Sequence, residues 1–286
     1  MKGTFGEIQK MMKNILLPTD FSENSKNAIR YALRFFEGET CRFHLLNSQK
    51  PTNYLTADVL YSAPGTSVYE GILNDNKKEL GKMARFCEGI SEKEDFSFVQ
   101  KIDFDTVVAA VNKVVAENNI DLIVMGTNGA TGAAEAIFGS NTIQVIRNVD
   151  CPVITVPQGY AYEKIDSVLL SHNRHIEMPH KSLAIISEVV KKNKAVLKIL
   201  EIEENTAELS PQKSRTTEAF KAMKVEQFYV KNIPAPLAIS AFEQLIPVQF
   251  HAVVVEPERF INRFIFGSDT AKISYSTTVP LLVLHQ

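Results

Sequence analysis

The stretch "MGTNGATGAAEAIFGSNTIQVIRNVDCPVITVP", residues 125–157, decides the fold of the first half of the chain. An apolar strand ends at Gly126, Gly129 follows in the next loop, and Gly139 and Ser140 open an amphipathic segment. Glycine at a strand end lets the backbone turn and a ligand approach, because no Cβ stands in the way. A helix that begins at Gly139 presents free N–H groups and a positive dipole end, which suit an anion.

Ser140 has two possible roles at this helix start. It can cap the helix through its hydroxyl, or it can donate that hydroxyl to a bound anion. The spacing of the glycines, G-x2-G-x9-G-S, matches neither the GxxxxGK[ST] phosphate loop nor the GxGxxG dinucleotide fingerprint.

Strands and helices alternate through the first half. Apolar runs predict strands, and residues with helical spacing predict helices, with Ser22 as the N-cap of the first one. The predicted strands cover 14–20, 41–48, 96–102, 121–126 and 152–157, the predicted helices 22–36, 68–89, 105–119 and 141–148, and a long loop 49–66. This alternation is typical of a doubly wound parallel sheet, which binds ligands at the carboxyl edge of its strands.

The second half repeats this order. The segment "DSVLLSHN" corresponds to "KNILLPTD", and the Phe-Gly-Ser triplet at 138–140 recurs at 266–268. The prolines at 152 and 280 are separated by the same interval as the two triplets, which indicates an internal duplication. The sequence therefore predicts an α/β protein of two tandem doubly wound domains, 1–157 and 158–286, each with a five-stranded parallel sheet.

The second copy lacks the glycines that precede the helix. Near the place of Gly126–Gly129 it has Glu256, Pro257 and Glu258, and the counterpart of Asp20 is Asn173. Proline removes an N–H and glutamate repels a phosphate. One ligand per chain, bound by the first half, is the expectation.

The first half resembles the universal stress protein family through "ILLPTDFS", "DLIVMGTNG" and "GSNTIQVIRNVDCPVITVP", and the second half resembles a degenerate copy. The resemblance implies a HUP-like fold, similar to the adenine nucleotide alpha hydrolases. It also implies an adenine nucleotide site, with Asp20 and Ser48 near the base and the glycine motif near ribose and phosphates. The residues implied are Pro18, Thr19, Asp20, Ser48, Gly126, Thr127, Gly129, Gly139, Ser140 and Asn141.

The same residues have simpler interpretations. Asp20 could only turn the chain before the first helix. Gly126 and Gly129 could be turn residues, although that leaves Gly139–Ser140 at the matching distance unexplained. Thr127 and Asn128 could be solvated loop residues.

Composition argues against several other classes of protein. The 286 residues carry a net charge of −2, without the basic excess of a nucleic-acid binder or a polybasic stretch for a membrane surface. We expect no secretory signal, and no apolar run is long enough to span a bilayer. Three cysteines without CxxC spacing favour a reduced, cytoplasmic protein.

Three histidines of the second half, His172, His175 and His180, fall close together in one predicted loop. Zinc needs three or four convergent ligands, so solvated histidines are the expectation and a metal site the minority hypothesis. No Ser/His/Asp order is recognisable as a catalytic triad, and no adenylation motif is present.

The leading functional hypothesis is a cytoplasmic stress-response protein that binds ATP, ADP or AMP, with Mg²⁺ as a possible companion of the phosphates. It would act by binding and regulation. The alternatives are a slow ATPase and a non-binding interaction scaffold. The segments "PVITVP" and "VPLLVL" would be exposed edges if unpaired, so we expect them to pair with each other within the chain. A further homodimer is left open.

Overall fold

The computed structural model describes residues 12–49, 68–127, 138–173, 178–203, 219–255 and 278–286. Its strands are β1 (Lys13–Pro18), β2 (Thr40–Ser48), β3 (Asp95–Asp103), β4 (Leu122–Gly126), β5 (Val153–Val156), β6 (Ser167–Asn173), β7 (Val196–Glu203), β8 (Val225–Lys231), β9 (Phe250–Val255) and β10 (Leu281–His285). The helices of the described residues are α1 (Glu23–Phe35), α2 (Val68–Ile90), α3 (Val107–Asn118), α4 (Ser140–Asn148), α5 (His180–Asn193) and α6 (Ala235–Leu245).

All ten strands form one sheet in the order β3-β2-β1-β4-β5-β10-β9-β6-β7-β8. Read outward from the centre, each half contributes its strands in the same relative order, which is the repetition that the sequence predicts. Neighbouring strands within each half are parallel. The molecule is therefore an α/β protein with a doubly wound sheet in each half.

The two halves join at the pair β5–β10, which is antiparallel, with Ile154 opposite Leu282. These strands are the segments "PVITVP" and "VPLLVL", so the structure pairs them as expected. The pairing turns two exposed apolar edges into the centre of the sheet and leaves β3 and β8 as its edges.

Two apolar layers cover the faces of the sheet, and each runs through both halves. One layer contains Phe43, which packs on Phe36 next to α1, and Phe250, whose ring stacks on Phe35 of α1. The other contains Val111 of α3, Ile146 of α4 and Phe242 of α6. Strands buried on both faces read as continuous apolar runs, as "DLIVMG" does.

Helix α1 shows how the local sequence produces this packing. Ser22 is the N-cap, and its side chain accepts a hydrogen bond from the Ser25 N–H. Ala28, Ala32 and Phe35, which share one helical face, are buried against the sheet. The predicted cap and buried face are confirmed.

Two of the expected features lie outside the described residues: most of the loop at 49–66 and the helix that follows Gly267. Within the described ranges, no helix is both long and apolar enough to cross a bilayer.

Candidate functional site

A pocket of about 310 Å³ opens at the carboxyl edge of the first-half sheet. It lies where β1 and β4 end and where α3 and α4 begin. The lining residues are Pro18, Thr19, Asp20, Ser25, Leu46, Ser48, Val107, Met125, Gly126, Gly139, Ser140, Asn141 and Thr142. This is the edge at which a doubly wound sheet binds its ligands.

Helix α4 points its first turn into the pocket. Gly139 is the N-cap and makes no side-chain capping bond, and Ser140 is the first helical residue. The suggestion that Ser140 caps this helix is therefore wrong. Its hydroxyl is not used as the cap, and the N–H groups of the first turn have no acceptor within the helix. The pocket wall here presents donors and the positive end of a helix dipole.

Two hydrogen bonds fix the start of α4 against β4. The Gly139 N–H donates to the Thr127 carbonyl over 2.6 Å, and the Thr142 hydroxyl donates to the Gly126 carbonyl over 2.9 Å. The Thr127 N–H in turn donates to the carbonyl of Val156 on β5. Because both contacts involve main-chain atoms of β4 and the residue after it, the helix N-terminus is held at a set distance from the strand ends.

Gly126 lines the pocket and also leaves room for a neighbouring side chain. A Cβ on Gly126 would lie 2.5 Å from Asn24 Nδ2 and 2.8 Å from Asn24 Cγ. Asn24 is buried in the first turn of α1. The glycine therefore lets α1 approach the end of β4, and its approach to a ligand stays a prediction.

Asp20 forms the hydrogen bonds expected of a residue that turns the chain before α1, as the simpler interpretation predicts. Its Oδ1 accepts from the Ser22 N–H at 3.0 Å and from the Ser22 hydroxyl at 2.6 Å. Burial alone would raise the pKa of Asp20, but hydrogen bonds from Ser22 and Ser25 outweigh it and hold that pKa below its ordinary value. Asp20 is exposed and lines the pocket, so it is an ionised acceptor at the pocket rim.

The turn between β1 and α1 is built from side-chain bonds to the backbone. The Thr19 hydroxyl accepts from the Phe21 N–H at 3.0 Å, and Asn47 Nδ2 donates to the Thr19 carbonyl at 2.8 Å. Phe21 has a φ of 64°, a left-handed conformation that is uncommon outside glycine. The Ser48 hydroxyl donates to the Asp105 carbonyl. These bonds position the rim residues.

The charge of the pocket is low. Of the described residues that line it, Asp20 is the only one with a charged side chain. Leu46, Val107 and Met125 supply apolar lining, and the first turn of α4 supplies N–H groups and the Ser140 hydroxyl. The pocket can thus hold an apolar ring beside an anionic group that the backbone receives.

Eight of the ten residues that the sequence proposes for the site line this single pocket. Thr127 is fully buried behind the wall, so its contact with a ligand remains a prediction, and Gly129 lies outside the described residues. Sequence reasoning missed Ser25, Leu46, Val107, Met125 and Thr142. Their common signal is position, since each stands at the carboxyl end of a strand or in the first turn of a helix.

His172 and His180, the members of the second-half histidine group that the structure describes, form no metal-binding cluster. His172 is 2% exposed on β6, with Nδ1 3.0 Å from the Asn173 carbonyl, and burial lowers its pKa. The expectation of a solvated loop histidine is wrong for His172. His180 is exposed at the start of α5, and His175 lies outside the described residues. Among the residues described, no three His, Cys, Asp or Glu side chains are arranged to hold a metal ion.

Strand register identifies the second-half counterpart of Gly126. Ile15 and Val168 occupy the same position in the corresponding segments "KNILLPTD" and "DSVLLSHN". Ile15 pairs with Leu122 in the first half, and Val168 pairs with Phe250 in the second. Counting along the strands, Val254 then stands where Gly126 stands. The Val254 side chain is buried in the core, and the expectation for Glu256, Pro257 and Glu258 lies outside the described residues.

These features define a doubly wound α/β protein with a polar helix terminus and an apolar wall at the carboxyl edge of its first-half sheet. The sequence model of the universal stress protein family matches residues 11–157, slightly more than half of the chain. The chain belongs to the universal stress protein family.

Individual relatives agree with this assignment. Universal stress protein MJ0577 of Methanocaldococcus jannaschii is 29% identical over 157 residues, which cover 51% of this chain and 95% of the relative. Universal stress protein MJ0531 of the same organism is 27% identical over 151 residues, covering 52% and 84%. A crystal structure of a universal stress protein from Archaeoglobus fulgidus covers 96% of both chains with a TM-score of 0.68 and 19% identity. That likeness concerns the fold and extends over both halves.

Proposed function

We propose that the first half binds an adenine nucleotide (ATP, ADP or AMP) in the pocket at the carboxyl edge of its sheet, and that the protein is a cytoplasmic regulatory module of the stress response. The single observation that carries the proposal is that eight residues named from the sequence line one pocket together with an uncapped helix N-terminus. A phosphate is the anion that such a terminus suits best.

The two kinds of lining, apolar side chains and a helix N-terminus, suit the two parts of a nucleotide. The first-turn N–H groups of α4 and the Ser140 hydroxyl would receive a phosphate. The apolar wall of Leu46, Val107 and Met125 would hold the base, and the Asp20 carboxylate would accept from its amino group. Since no cationic side chain is among the described lining residues, Mg²⁺ would accompany a di- or triphosphate and offset its charge.

Binding without turnover is the form of the proposal that the site supports best. A hydrolytic base needs a pKa near the working pH, but the pKa of Asp20 is held low and its Oδ1 already accepts two hydrogen bonds from Ser22. A slow ATPase remains the second candidate. ATP turnover that disappears in Gly129→Val, with the fold intact, would favour it.

Calorimetry on the purified full chain tests the proposal. ATP, ADP and AMP should bind saturably, and Asp20→Ala should weaken them about tenfold, equal to one lost hydrogen bond to a charged group. Glu23→Gln, an exposed neighbour outside the lining, is the matched control and should leave affinity unchanged. Absence of saturable binding at millimolar nucleotide by folded protein would refute the proposal and favour the scaffold alternative.

A further inference from the structure

A second cavity, of about 80 Å³, lies where the two halves meet and is lined by residues of both. Its lining includes Ile154 and Leu282 of the β5–β10 pair, Phe35 at the end of α1 and Val189 of α5, all of them buried. These side chains belong to one apolar layer of the sheet. The described residues that line this inter-half cavity differ throughout from those that line the proposed nucleotide pocket.

Charged side chains give the inter-half cavity an opening to solvent. Lys13, Glu39, Glu188 and Lys192 are among its lining residues, and the Glu188 side chain is 56% exposed. Lys13 pairs with both glutamates, and Lys192 pairs with Glu39. Because ion pairs at partly exposed positions are individually weak, they do not seal the cavity. A small molecule can therefore reach the apolar lining while the fold stays intact.

The charges of the lining favour a ligand that donates a hydrogen bond. Three carboxylates and two ammonium groups line the cavity, and Glu39 and Glu188 are paired with the lysines. The third carboxylate, Asp121, is exposed and accepts one hydrogen bond from the Asn14 N–H at 2.8 Å. Among the described residues, no cationic side chain pairs with Asp121. An anionic ligand would meet excess negative charge here, whereas a hydroxyl can donate to the carboxylate.

The internal duplication places a related cleft on the other side of the β5–β10 pair. Ile154 lies opposite Leu282, and these two residues are separated by the same interval as the two Phe-Gly-Ser triplets. The halves therefore face each other as in a two-fold dimer, so each contact on one side has a counterpart on the other.

Two alignments identify the residues of the related cleft. Superposing the N-caps of α1 and α5, Ser22 and Pro179, makes Tyr31 the counterpart of Glu188. Strand register makes Gln249 the counterpart of Asp121, since each directly precedes one of the paired residues Phe250 and Leu122. The related cleft thus lies beside Tyr31 and Gln249.

Tyrosines of the segment that joins the halves fill this related cleft. The ring centroids of Tyr160 and Tyr162 lie 6.1 Å and 5.6 Å from that of Tyr31. The Tyr160 hydroxyl lies 3.3 Å from the Gln249 carbonyl and 2.8 Å from a carboxylate oxygen of Glu163. One joining segment can fill one of the two clefts, and the inter-half cavity lies at the place of the other.

The occupant of the related cleft indicates which ligand suits the cavity. A phenol ring packs there on the apolar layer, and its hydroxyl has a carboxylate as acceptor. An apolar cavity of about 150 Å³ takes up benzene, so the smaller inter-half cavity has room for a single ring with its polar group at the opening. We propose that the inter-half cavity binds a small phenol, with the ring between Phe35 and Val189 and the hydroxyl donating to Asp121.

Methyl NMR on the full-length protein with p-cresol, the tyrosine side chain as a free molecule, tests this proposal. Saturable shifts should appear at the methyl groups of Ile154 and Val189, with nuclear Overhauser contacts to the ring. Toluene, which lacks the hydroxyl, should bind about three- to tenfold more weakly, equal to one hydrogen bond. The anion p-toluate should bind more weakly still. Equal affinities for p-cresol and p-toluate, or no saturable shift at these methyl groups, would overturn the proposal.

Variants on one helix locate the site. Ile185→Trp places a larger side chain in the lining and should abolish p-cresol binding, whereas Leu183→Trp is the matched control and should leave it unchanged, since Leu183 is partly buried on α5 outside the lining. Asp121→Ala should reduce the affinity for p-cresol to that for toluene, which keeps the test independent of how Ile185→Trp folds.

Three results would count against the phenol site. Binding that survives in folded Ile185→Trp would place the ligand elsewhere, and unchanged p-cresol affinity in Asp121→Ala would remove the acceptor. Binding that appears only after deletion of residues 1–11 would show that the chain itself occupies the cavity. The outcome is separate from nucleotide binding, because Asp20→Ala should leave the affinity for p-cresol unchanged.

Discussion

The two halves of the sheet have the same strand order and yet differ in the layer beneath the carboxyl edge. In the first half Gly126 admits the Asn24 side chain and the pocket opens above Pro18. In the second half Val254 occupies the place of Gly126, and Ser171 occupies that of Pro18. The comparison teaches that the fold depends on the apolar pattern shared by both halves. The chemistry of each edge depends on a few positions where that pattern changes.

The largest expected effect concerns the antiparallel β5–β10 pair that joins the halves. Ile154 is buried on β5 opposite Leu282 of β10. Ile154→Ala should lower the free energy of unfolding by about 2–5 kcal/mol, because it removes buried methyl groups and leaves a cavity. Urea unfolding followed by circular dichroism measures this. Ile90→Ala, at a position 52% exposed, should change it by less than about 0.5 kcal/mol. Equal losses of unfolding free energy in Ile154→Ala and Ile90→Ala would mean that the β5–β10 pair is not part of the core.

Low pH should destabilise the protein through His44 of the first half, a position at which the second half carries a different residue. His44 of β2 is buried with neither ring nitrogen hydrogen-bonded, whereas its register counterpart Lys198 pairs with Glu226. Burial, together with Lys101 and Arg42, lowers the pKa of His44 to about 4. The folded state therefore favours neutral His44. Its contribution is complete above the ordinary histidine pKa of 6.5 and is lost as the pH falls from there to about 4.

The loss from His44 should reach about 3 kcal/mol, at about 1.36 kcal/mol per pH unit of difference between folded and unfolded pKa values. His44→Leu should remove this part of the acid dependence, which unfolding curves at pH 7 and pH 4 measure. An unchanged difference between the two pH values in His44→Leu would show that other groups cause the acid sensitivity.

A smaller effect tests why glycine is needed at 126. Gly126→Ala should destabilise the protein by about 1–3 kcal/mol through overpacking against Asn24. Asn24→Ala should recover part of this in the double variant, with a coupling energy of at least about 0.5 kcal/mol. Gly89→Ala is the control, since a Cβ there meets no atom within 4 Å. Additive effects at Gly126 and Asn24 would contradict the close contact.

The smallest effect concerns the ion pairs between the halves. Lys13 bonds to Glu188 of α5, and Lys192 of the same helix bonds to Glu39, all at partly exposed positions. Glu188→Gln should cost at most about 1 kcal/mol, and molar salt should remove most of that difference. A loss of several kcal/mol would show that charge, rather than the β5–β10 pairing, holds the halves together.

Much of the fold could be predicted from the sequence, because strand and helix periods are local properties of the chain. Ser22, with a polar side chain just before an amphipathic run, was enough to locate the start of α1. The equal spacing of the repeated Phe-Gly-Ser triplets and of the two prolines was enough to predict two similar halves. The contact between "PVITVP" and "VPLLVL" followed from the need to cover two apolar edges.

The details of the sites depend on tertiary contacts that the sequence does not display. The roles of Gly126 and Ser140 could not be assigned because both depend on where α1 and α4 lie against β4. The contacts of His251 with Ser171 and with Glu243 in the buried layer under α6 could not be predicted, since up to 80 residues separate these groups along the chain. The spacing of the glycine motif revealed Gly139 and Ser140, because the other glycines of that motif lie in the same short segment of the chain.

The stoichiometry of nucleotide binding tests the central claim most directly. Calorimetry with ATP should give one site per chain. Ser140→Glu should weaken binding at least about 100-fold, because a carboxylate at the start of α4 suits the helix dipole and yet repels a phosphate. Ser268→Glu, at the serine of the second Phe-Gly-Ser triplet, is the matched change in the second half and should leave affinity and stoichiometry unaltered. Two sites per chain, or binding that survives Ser140→Glu and fails in Ser268→Glu, would contradict the assignment of the nucleotide site to the first half.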